Sequence, residues 1–354
     1  MIRPDTTRPV MVTGGTGYVG GWIVRRLLEE GLTVHAAVRD PEDAAKTAHL
    51  VRLAETTTGS LRLFGADLLE DGSYAPAMEG CAVVFHAASP FRNSVEDPQR
   101  DLVDPAVDGT RNVLAQANRT GGVERVVLTS SCAAIYGDCA DVARVPGGVL
   151  TEDLWNTSSS LGHSPYSHSK TLAEREAWRI AEGQDRWRLV AVNPSFVLGP
   201  GTRVHPESES FRLMTQIGNG TFRMGVPRWG IGVVDVRDVA EAHLRAAFLP
   251  DAEGRHIVSA ENSDFFEVAR SLWEPFGRDH PLPRRALPKW LVWLAGPLAD
   301  RALTRKAVAL NVDIPWRADN SKSREKLGLD YRPMAETTRD MFRQLVEAGV
   351  LKHR

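Results

Sequence analysis

Apolar residues recur along this chain in two alternating rhythms. Residues 10–12 form a short apolar run that enters a glycine-rich turn. From 18 to 30, Val19, Ile23, Val24, Leu27 and Leu28 fall on one stripe at helical spacing. Gly31 stands where a helix C-terminus favours glycine. Residues 32–38 then alternate as a strand does, so the first stretch reads as a βαβ unit.

The pattern continues. Strands are predicted at 60–65, at 83–85 (ending on His86-Ala87-Ala88), at 125–128 and at 189–192, the last broken at Pro194. Helices are predicted at 97–118 and 165–182, with Ser164 as cap and Pro165 in the first turn of the second. Strand and helix in alternation imply an α/β, doubly wound parallel sheet of the Rossmann type with helices on both faces. After Pro200 the rhythm changes, and glycine, proline and tryptophan punctuate shorter elements. The strand at 233–236 and the helix at 239–248 are expected to return to the main domain. The predicted organisation is a dinucleotide-binding domain of residues 1–201, with 227–259 returning to it. Residues 202–226 and 260–354 form a smaller, mostly C-terminal substrate lobe. The loop 137–164 is long enough to suggest a functional one. Residues 288–298 are too short for a membrane span and read as a packing helix, with Trp290 and Trp293 on or near its buried side.

Composition narrows the class. The chain has 354 residues, 42% hydrophobic and 25% charged, as globular proteins do. A net charge of -2 gives no reason to expect nucleic acid or an anionic membrane as partner. Cys81, Cys132 and Cys139 match neither a zinc pattern nor a disulfide framework. A reducing cytoplasm, no signal peptide, and a monomer or homodimer are the expectations.

The chemistry starts at the turn after the first strand. Gly14, Gly17 and Gly20 give G-x-x-G-x-x-G between a predicted strand and a predicted helix. Glycines there let the backbone turn tightly and approach a pyrophosphate, while the helix N-terminus offers free N–H groups. Thr16, Tyr18 and Val19 fall in the same segment. An acidic residue at the end of the second strand would bind an NAD ribose, but Arg39 holds that place and suits a 2′-phosphate. Lys46 would add a second charge, while Asp40 is a contrary sign. NADP(H) is therefore expected, with NAD(H) as the alternative. Asp67 and Leu68, after the third strand, are placed to meet the adenine, or Asp67 caps a helix. Ala87, Ala88 and Thr129 lie at later strand ends and complete the expected cofactor contacts on that side.

Tyr166 and Lys170 are spaced Y-x-x-x-K near a helix start, so they share a face. Tyrosine is a poor acid–base group at neutral pH, and a nearby ammonium favours its phenolate. Ser130 and Ser131 follow a strand, and either is of a type to donate to a carbonyl oxygen.

The set TGGTGYVG, VFHAASP, VLTSSCAAIY, YSHSK and NPSFVLGP resembles the extended short-chain dehydrogenase/reductase superfamily. VRDP followed by a lysine, and SKTLAEREAW, are most similar to its dihydroflavonol reductase and cinnamoyl-CoA reductase branch, which includes microbial aldehyde and ketone reductases. The resemblance is strong over residues 10–201 and poor at the C-terminus. It implies Ser131, Tyr166 and Lys170 as the catalytic set. Tyr166 would be the acid in reduction, Ser131 would polarise the carbonyl, and Lys170 would bind the nicotinamide ribose, so Tyr166 and Lys170 also touch cofactor. It implies Pro194 and its neighbours, Val197 among them, at the carboxamide end. For Asn112 it suggests a proton relay, with helix packing as the equal alternative. Tyr136 stands where flavonoid reductases of the branch carry asparagine, and the N-W-Y-C-Y motif of cinnamoyl-CoA reductases is absent. Neither substrate class carries over directly.

Phe91, Tyr136, Phe196 and Trp229 are candidate apolar substrate walls, with core packing as the alternative. His163 and His168 flank Tyr166 and read as surface or pocket-wall residues, with no metal site completed. Asp235 and Asp238 read as a helix cap and as ion-pair partners of Arg237. The expected activity is NADPH-dependent reduction of an aldehyde or ketone bearing an aromatic or bulky apolar part. Alternatives are an NAD-retaining nucleotide-sugar epimerase or dehydratase, a hydroxysteroid dehydrogenase-like enzyme, and a non-catalytic redox-sensing protein.

Overall fold

The computed structural model describes residues 4–89, 95–299 and 303–352. Phe91 lies outside the described residues. The chain runs through β1 (Val10–Thr13), β2 (Thr33–Val38), β3 (Ser60–Gly65), β4 (Val83–His86), β5 (Arg125–Thr129) and β6 (Arg188–Pro194). Next, β7 (Phe196–Leu198), β8 (Val226–Pro227) and β9 (Gly230–Asp235) leave the main sheet, and β10 (Gly254–Val258) rejoins it. β11 (Glu261–Asp264) and β12 (Ala286–Leu287) follow. The main sheet has seven parallel strands in the order β10-β6-β5-β4-β1-β2-β3. Chain direction across the sheet reverses at β1, and the crevice outside the carboxyl ends of β1 and β4 is where such sheets bind ligands.

Two helical layers cover the sheet. α1 (Tyr18–Glu29) and α2 (Ala44–Glu55) lie on one face, while α3 (Ala75–Met78), α4 (Asp104–Arg119) and α5 (Pro165–Glu182) lie on the other. Side chains of a strand alternate between faces, and at β1 and β4 both faces are dry. Val10 and Val12 enter the core beneath α1, while Met11 between them enters the core beneath α4. Val83 and Phe85 likewise oppose Val84. This is why the strands read as unbroken apolar runs.

α6 (Glu209–Gly218) belongs to a second core, whereas α7 (Val236–Phe248) packs back on α1. β9 pairs with β7 and β11 in a three-stranded sheet. α8 (Phe265–Arg270), α9 (Trp273–Phe276), α10 (Lys289–Ala299), α11 (Arg305–Asn311), α12 (Ser321–Lys326) and α13 (Met334–Glu347) complete the chain. The second core joins Phe211, Met214, Val233, Phe266 and Phe342.

Three local expectations are corrected. The helix expected from residue 97 begins as a π-helical turn, Gln99–Val103, before α4. Pro105 has no N–H to bond back along a regular helix. Ser164 adopts the left-handed conformation, φ 53°, and makes no capping bond. Trp290 and Trp293 are not on the buried side of α10: they are 67% and 41% exposed. Its inward residue is Val292, packed with Val308 and Val312, while Trp293 lies under the Arg305 guanidinium at 4.6 Å.

Candidate active site

The glycine turn is a cradle shaped by close approach. Gly14 has φ +69°, and a Cβ there would sit 2.8 Å from both Cα and N of Ala88. A Cβ on Gly20 would meet the Gly14 carbonyl oxygen at 2.1 Å. The turn is therefore pressed between the end of β4 and the first turn of α1. Gly17 is the N-cap of α1 and supplies no side-chain cap. An uncapped helix N-terminus behind a side-chain-free turn fits a pyrophosphate. Thr13 fastens the far wall, since its Oγ1 accepts from the Ala88 N–H at 3.0 Å and lies 3.0 Å from His86 Nδ1. Tyr18 turns its ring away from the cradle. Its hydroxyl donates to the Gly199 carbonyl at 2.6 Å, and its ring meets Phe211 edge-on at 5.2 Å.

Arg39 leaves the end of β2 with its side chain 86% exposed, 3.8 Å from Asp67 Oδ2. Asp40 accepts the Glu42 N–H at 2.9 Å and so caps its own turn. Lys46 pairs with Asp43, the N-cap of α2, at 2.9 Å. Asp67 also accepts the Leu69 N–H, and the Leu68 side chain lies against Gly109 of α4. Asn112 donates to the carbonyls of Leu68 and Glu70 at 3.1 and 2.7 Å. Its amide nitrogen thus ties down this loop.

The two serines after β5 separate cleanly. Ser130 is buried and donates to the carboxylate of Glu174. Ser131, half-buried, accepts the Ala133 N–H at 3.1 Å and lies near enough to Tyr166 to act on its hydroxyl. The Tyr166 ring is 48% exposed along one side. Desolvation of its hydroxyl raises its pKa, and the neighbouring Ser131 hydroxyl opposes that rise. One turn further, burial lowers the Lys170 ammonium to about 8, against the pull of Glu174. Lys170 Nζ is 6.0 Å from the Tyr166 ring centre. It also acts on His86, whose pKa is pushed down to about 3, mainly by burial. His86 ends β4 and bonds Thr13, so the Lys170 charge is felt at the end of the sheet that bears the glycine cradle.

Other predicted residues lie around this centre. Thr129 Oγ1 is 2.7 Å from His243 Nε2, and His243 Nδ1 is 2.7 Å from the Val239 carbonyl. A carbonyl only accepts, so Nδ1 carries the proton and Thr129 donates to Nε2. Pro194 ends β6 beside Val258, and the Val197 carbonyl accepts from Ser210 at 2.6 Å. Tyr136 packs near Trp316, its ring centre 5.8 Å away, and Phe196 meets Phe265 at 5.8 Å. Trp229 bridges to Val312. All three are only partly buried.

His163 corrects its expectation: it is buried, with Nε2 2.7 Å from Asp138 Oδ2. Asp138 also accepts from Asn311 of α11 at 2.7 Å, so the pair fastens the long loop to the C-terminal region. Asp235 caps α7 through the Arg237 N–H and pairs with its guanidinium, and Asp238 pairs with Arg332. The described residues hold no metal-binding group of three or more His, Cys, Asp or Glu side chains. No helix among them is long and apolar enough to cross a membrane.

Sequence reasoning missed the polar floor of the site. Glu174, one turn after Lys170, and Arg255 of β10 form a buried ion pair at 2.6 Å. Asn193 of β6 joins it. The available signals were a glutamate on the lysine's own stripe and a lone arginine in the apolar strand GRHIV.

A doubly wound parallel sheet with a glycine-cradled helix N-terminus at its switch point defines a dinucleotide-binding scaffold. Residues 10–259 match the NAD dependent epimerase/dehydratase family, and the chain belongs to it. Cinnamoyl-CoA reductase CAD2 of Medicago truncatula is 36% identical over 345 residues, which cover 96% of this chain and 95% of that protein. Gre2 of Candida albicans, solved in complex with NADPH, is 28% identical with a TM-score of 0.78, covering 96% of this chain and 99% of its own. Yeast methylglyoxal/isovaleraldehyde reductase Gre2, complexed with NADPH, is 26% identical with a TM-score of 0.75, covering 97% and 100%. The resemblance read from the motifs therefore holds, and the protein is an NAD(P)-dependent oxidoreductase.

Proposed function

We propose that this protein reduces an aldehyde or ketone with an aromatic or bulky apolar part to the alcohol, preferring NADPH, through Ser131, Tyr166 and Lys170. The observation that carries this reading is Tyr166 and Lys170 one turn apart on α5, with the Ser131 hydroxyl that follows β5 beside Tyr166. A bound dihydronicotinamide supplies the hydride. Ser131 donates to the substrate oxygen as negative charge develops there. Tyr166 hands its phenolic proton to that oxygen, and the Lys170 ammonium stabilises the phenolate left behind. Gly14, Thr16, Gly17, Tyr18, Val19 and Gly20 hold the pyrophosphate by backbone groups, with Ala87, Ala88 and Thr129 at the neighbouring strand ends. Arg39 reaches the 2′-phosphate, with Lys46, Asp67 and Leu68 beside it, and Pro194 and Val197 serve the carboxamide end. An exposed guanidinium at the end of β2, with Asp40 turned to its own backbone, supports the preference for NADPH. The NADPH complexes of the Gre2 reductases support it too.

Tyr136, Phe196 and Trp229 offer apolar surface, and residues 202–226 and 260–354 form the lobe that selects the substrate. Three buried free thiols suit a reducing cytoplasm. The test is NADPH oxidation over a panel of aldehydes, ketones and ketoesters, repeated with NADH and with Tyr166→Phe. Loss of the phenolic proton should slow reduction by about 10²-fold or more. Undiminished turnover by Tyr166→Phe would sink the mechanism. Tightly held NAD, with no net NADPH consumption on any carbonyl, would point instead to an epimerase-type cycle.

A further inference from the structure

We infer that Glu174, clamped by Arg255, is a positioning residue that seats Ser131 and Lys170 for reaction; this rests on the catalytic set proposed above. Glu174 lies four residues after Lys170, on the same face of α5. It is 1% exposed and its two carboxylate oxygens collect five donors. Oε2 accepts from Ser130 Oγ, from Asn193 Nδ2 at 2.8 Å and from Arg255 Nη2 at 3.3 Å. Oε1 accepts from Arg255 Nε at 2.6 Å and Trp178 Nε1 at 3.2 Å. The donors come from the residue after β5, from β6, from the start of β10 and from α5 itself, so one carboxylate pins the helix of Tyr166 and Lys170 to three neighbouring strands. Asn193 Nδ2 also reaches the Ser131 carbonyl at 3.2 Å, which carries the link into the backbone of the serine itself.

Arg255 extends the clamp outward. It donates to the carbonyls of Glu152, at 2.8 Å, and Leu154, and its guanidinium stacks on Trp155 at 4.0 Å. A buried ion pair contributes little net stability relative to well-packed apolar residues, because desolvation offsets the attraction. Its effect here is geometric and electrostatic. The Glu174 carboxylate favours the charged form of Lys170 against the burial that lowers it. Arg175 of α5 stacks on the same Trp155, at 4.8 Å. His86 faces Lys170 from β4 and is held neutral, while Cys132 and Glu152 flank the ion pair. Arg111 of α4 is paired with Glu176, and Asp101 with Arg100.

The test is the pH profile of single-turnover carbonyl reduction at saturating NADPH, with NADPH affinity measured separately. Removing the carboxylate takes away what holds the proton on Lys170, so the alkaline limb must move to lower pH. Glu174→Gln leaves Arg255 unpaired, so Glu174→Gln/Arg255→Met is run beside it, and Glu174→Asp keeps the charge while shortening the reach. The expected result for the Gln variants is a rate lower by about tenfold or more. Their alkaline limb falls by about one pH unit and their NADPH affinity is nearly unchanged. Glu174→Asp loses rate with its limb in place. A limb that stays put in the Gln variants, or a limb that moves equally in Glu174→Asp, overturns the inference. Tyr166→Phe in the same assay separates the two claims. If it stays active, the catalytic set fails. If it is inactive while Glu174→Gln behaves as wild type, only the positioning role fails.

Discussion

Gly20→Ala is a sharp test of how the cofactor cradle is built. In a helix interior alanine is ordinarily favoured over glycine by about 1 kcal/mol. Here the added Cβ would stand 2.1 Å from the Gly14 carbonyl oxygen, 2.7 Å from its carbon and 3.2 Å from the Cα of Gly15. All three neighbours are backbone, so no rotamer change relieves the overlap. Gly14 has nowhere to retreat, because its own Cβ direction is blocked at 2.8 Å by Ala88. Overpacking costs of this kind run about 1–3 kcal/mol, and a rigid backbone contact belongs at the upper end. After the propensity gain, a net loss of roughly 1–2 kcal/mol remains. Its outlet is displacement of the turn that holds the pyrophosphate, which weakens NADPH binding by about 5- to 30-fold. Gly17→Ala is the control. Its Cβ meets only the Gly14 oxygen, at 3.2 Å, so stability should barely change while the cradle for the phosphate is filled. Fluorescence titration with NADPH and thermal denaturation of both variants separate the effects. Gly20→Ala should lose affinity and melting temperature together, Gly17→Ala affinity alone. A Gly20→Ala protein with wild-type affinity and an equal or higher melting temperature would refute the packing argument.

Other consequences are equally direct. Arg39→Ala should lower the kcat/KM preference for NADPH over NADH by about tenfold or more without changing melting temperature, since the side chain is 86% exposed. An unchanged ratio would move the 2′-phosphate contact elsewhere. Ser131→Ala should cut kcat, with a loss of stability confined to its one capping bond from the Ala133 N–H. Ser130→Ala strips a donor from a buried carboxylate, a loss of about 1–3 kcal/mol, so it should lower the melting temperature; the opposite pattern would reassign the two serines. Burial pushes His86 down to about 3 and His49, His243 and His256 down to about 4. In the unfolded chain such histidines take up a proton near pH 6.5, while the folded chain keeps these neutral. Their stabilisation is therefore complete above pH 6.5 and is lost as pH falls towards 4, by about 1.4 kcal/mol per pH unit for each histidine. The urea midpoint should drop steeply from pH 7 to 5; a flat midpoint over that range would contradict the assignment.

The doubly wound sheet was legible because both of its determinants are local. Val10 to Val12 had to be apolar on both faces, and Val19 to Leu28 had to present one stripe to the layer below. The glycine turn was legible because only absent side chains allow the approach of Ala88 and of the α1 N-terminus. Tyr166 and Lys170 share a face by helical periodicity alone. What periodicity does not carry is which side chain is spent on structure. Tyr18 lies in the cofactor motif yet gives its hydroxyl to Gly199, and Asn112 gives its amide to the loop at Leu68. The tryptophans of α10 were misplaced for a related reason. In a helix apolar on nearly all sides, hydrophobicity marks no inward face, and Val292 rather than the larger rings meets Val308 and Val312.

The polar floor shows where such reading ends in physical terms. Ser130 and Ser131 are adjacent and chemically identical, and strand alternation says only that they point to opposite sides. Which side is the interior depends on a carboxylate 44 residues away, itself fixed by an arginine a further 81 residues along the chain. A buried charge cannot stand alone, so Glu174 implies a cationic partner somewhere. Nothing local to α5 says that the partner comes from β10, because strand order across a parallel sheet is set by crossovers rather than by neighbouring sequence. With β10 beside β6, Arg255, Asn193 and Ser130 converge on Glu174, and the interior role falls to Ser130. Ser131 is then the hydroxyl left facing Tyr166.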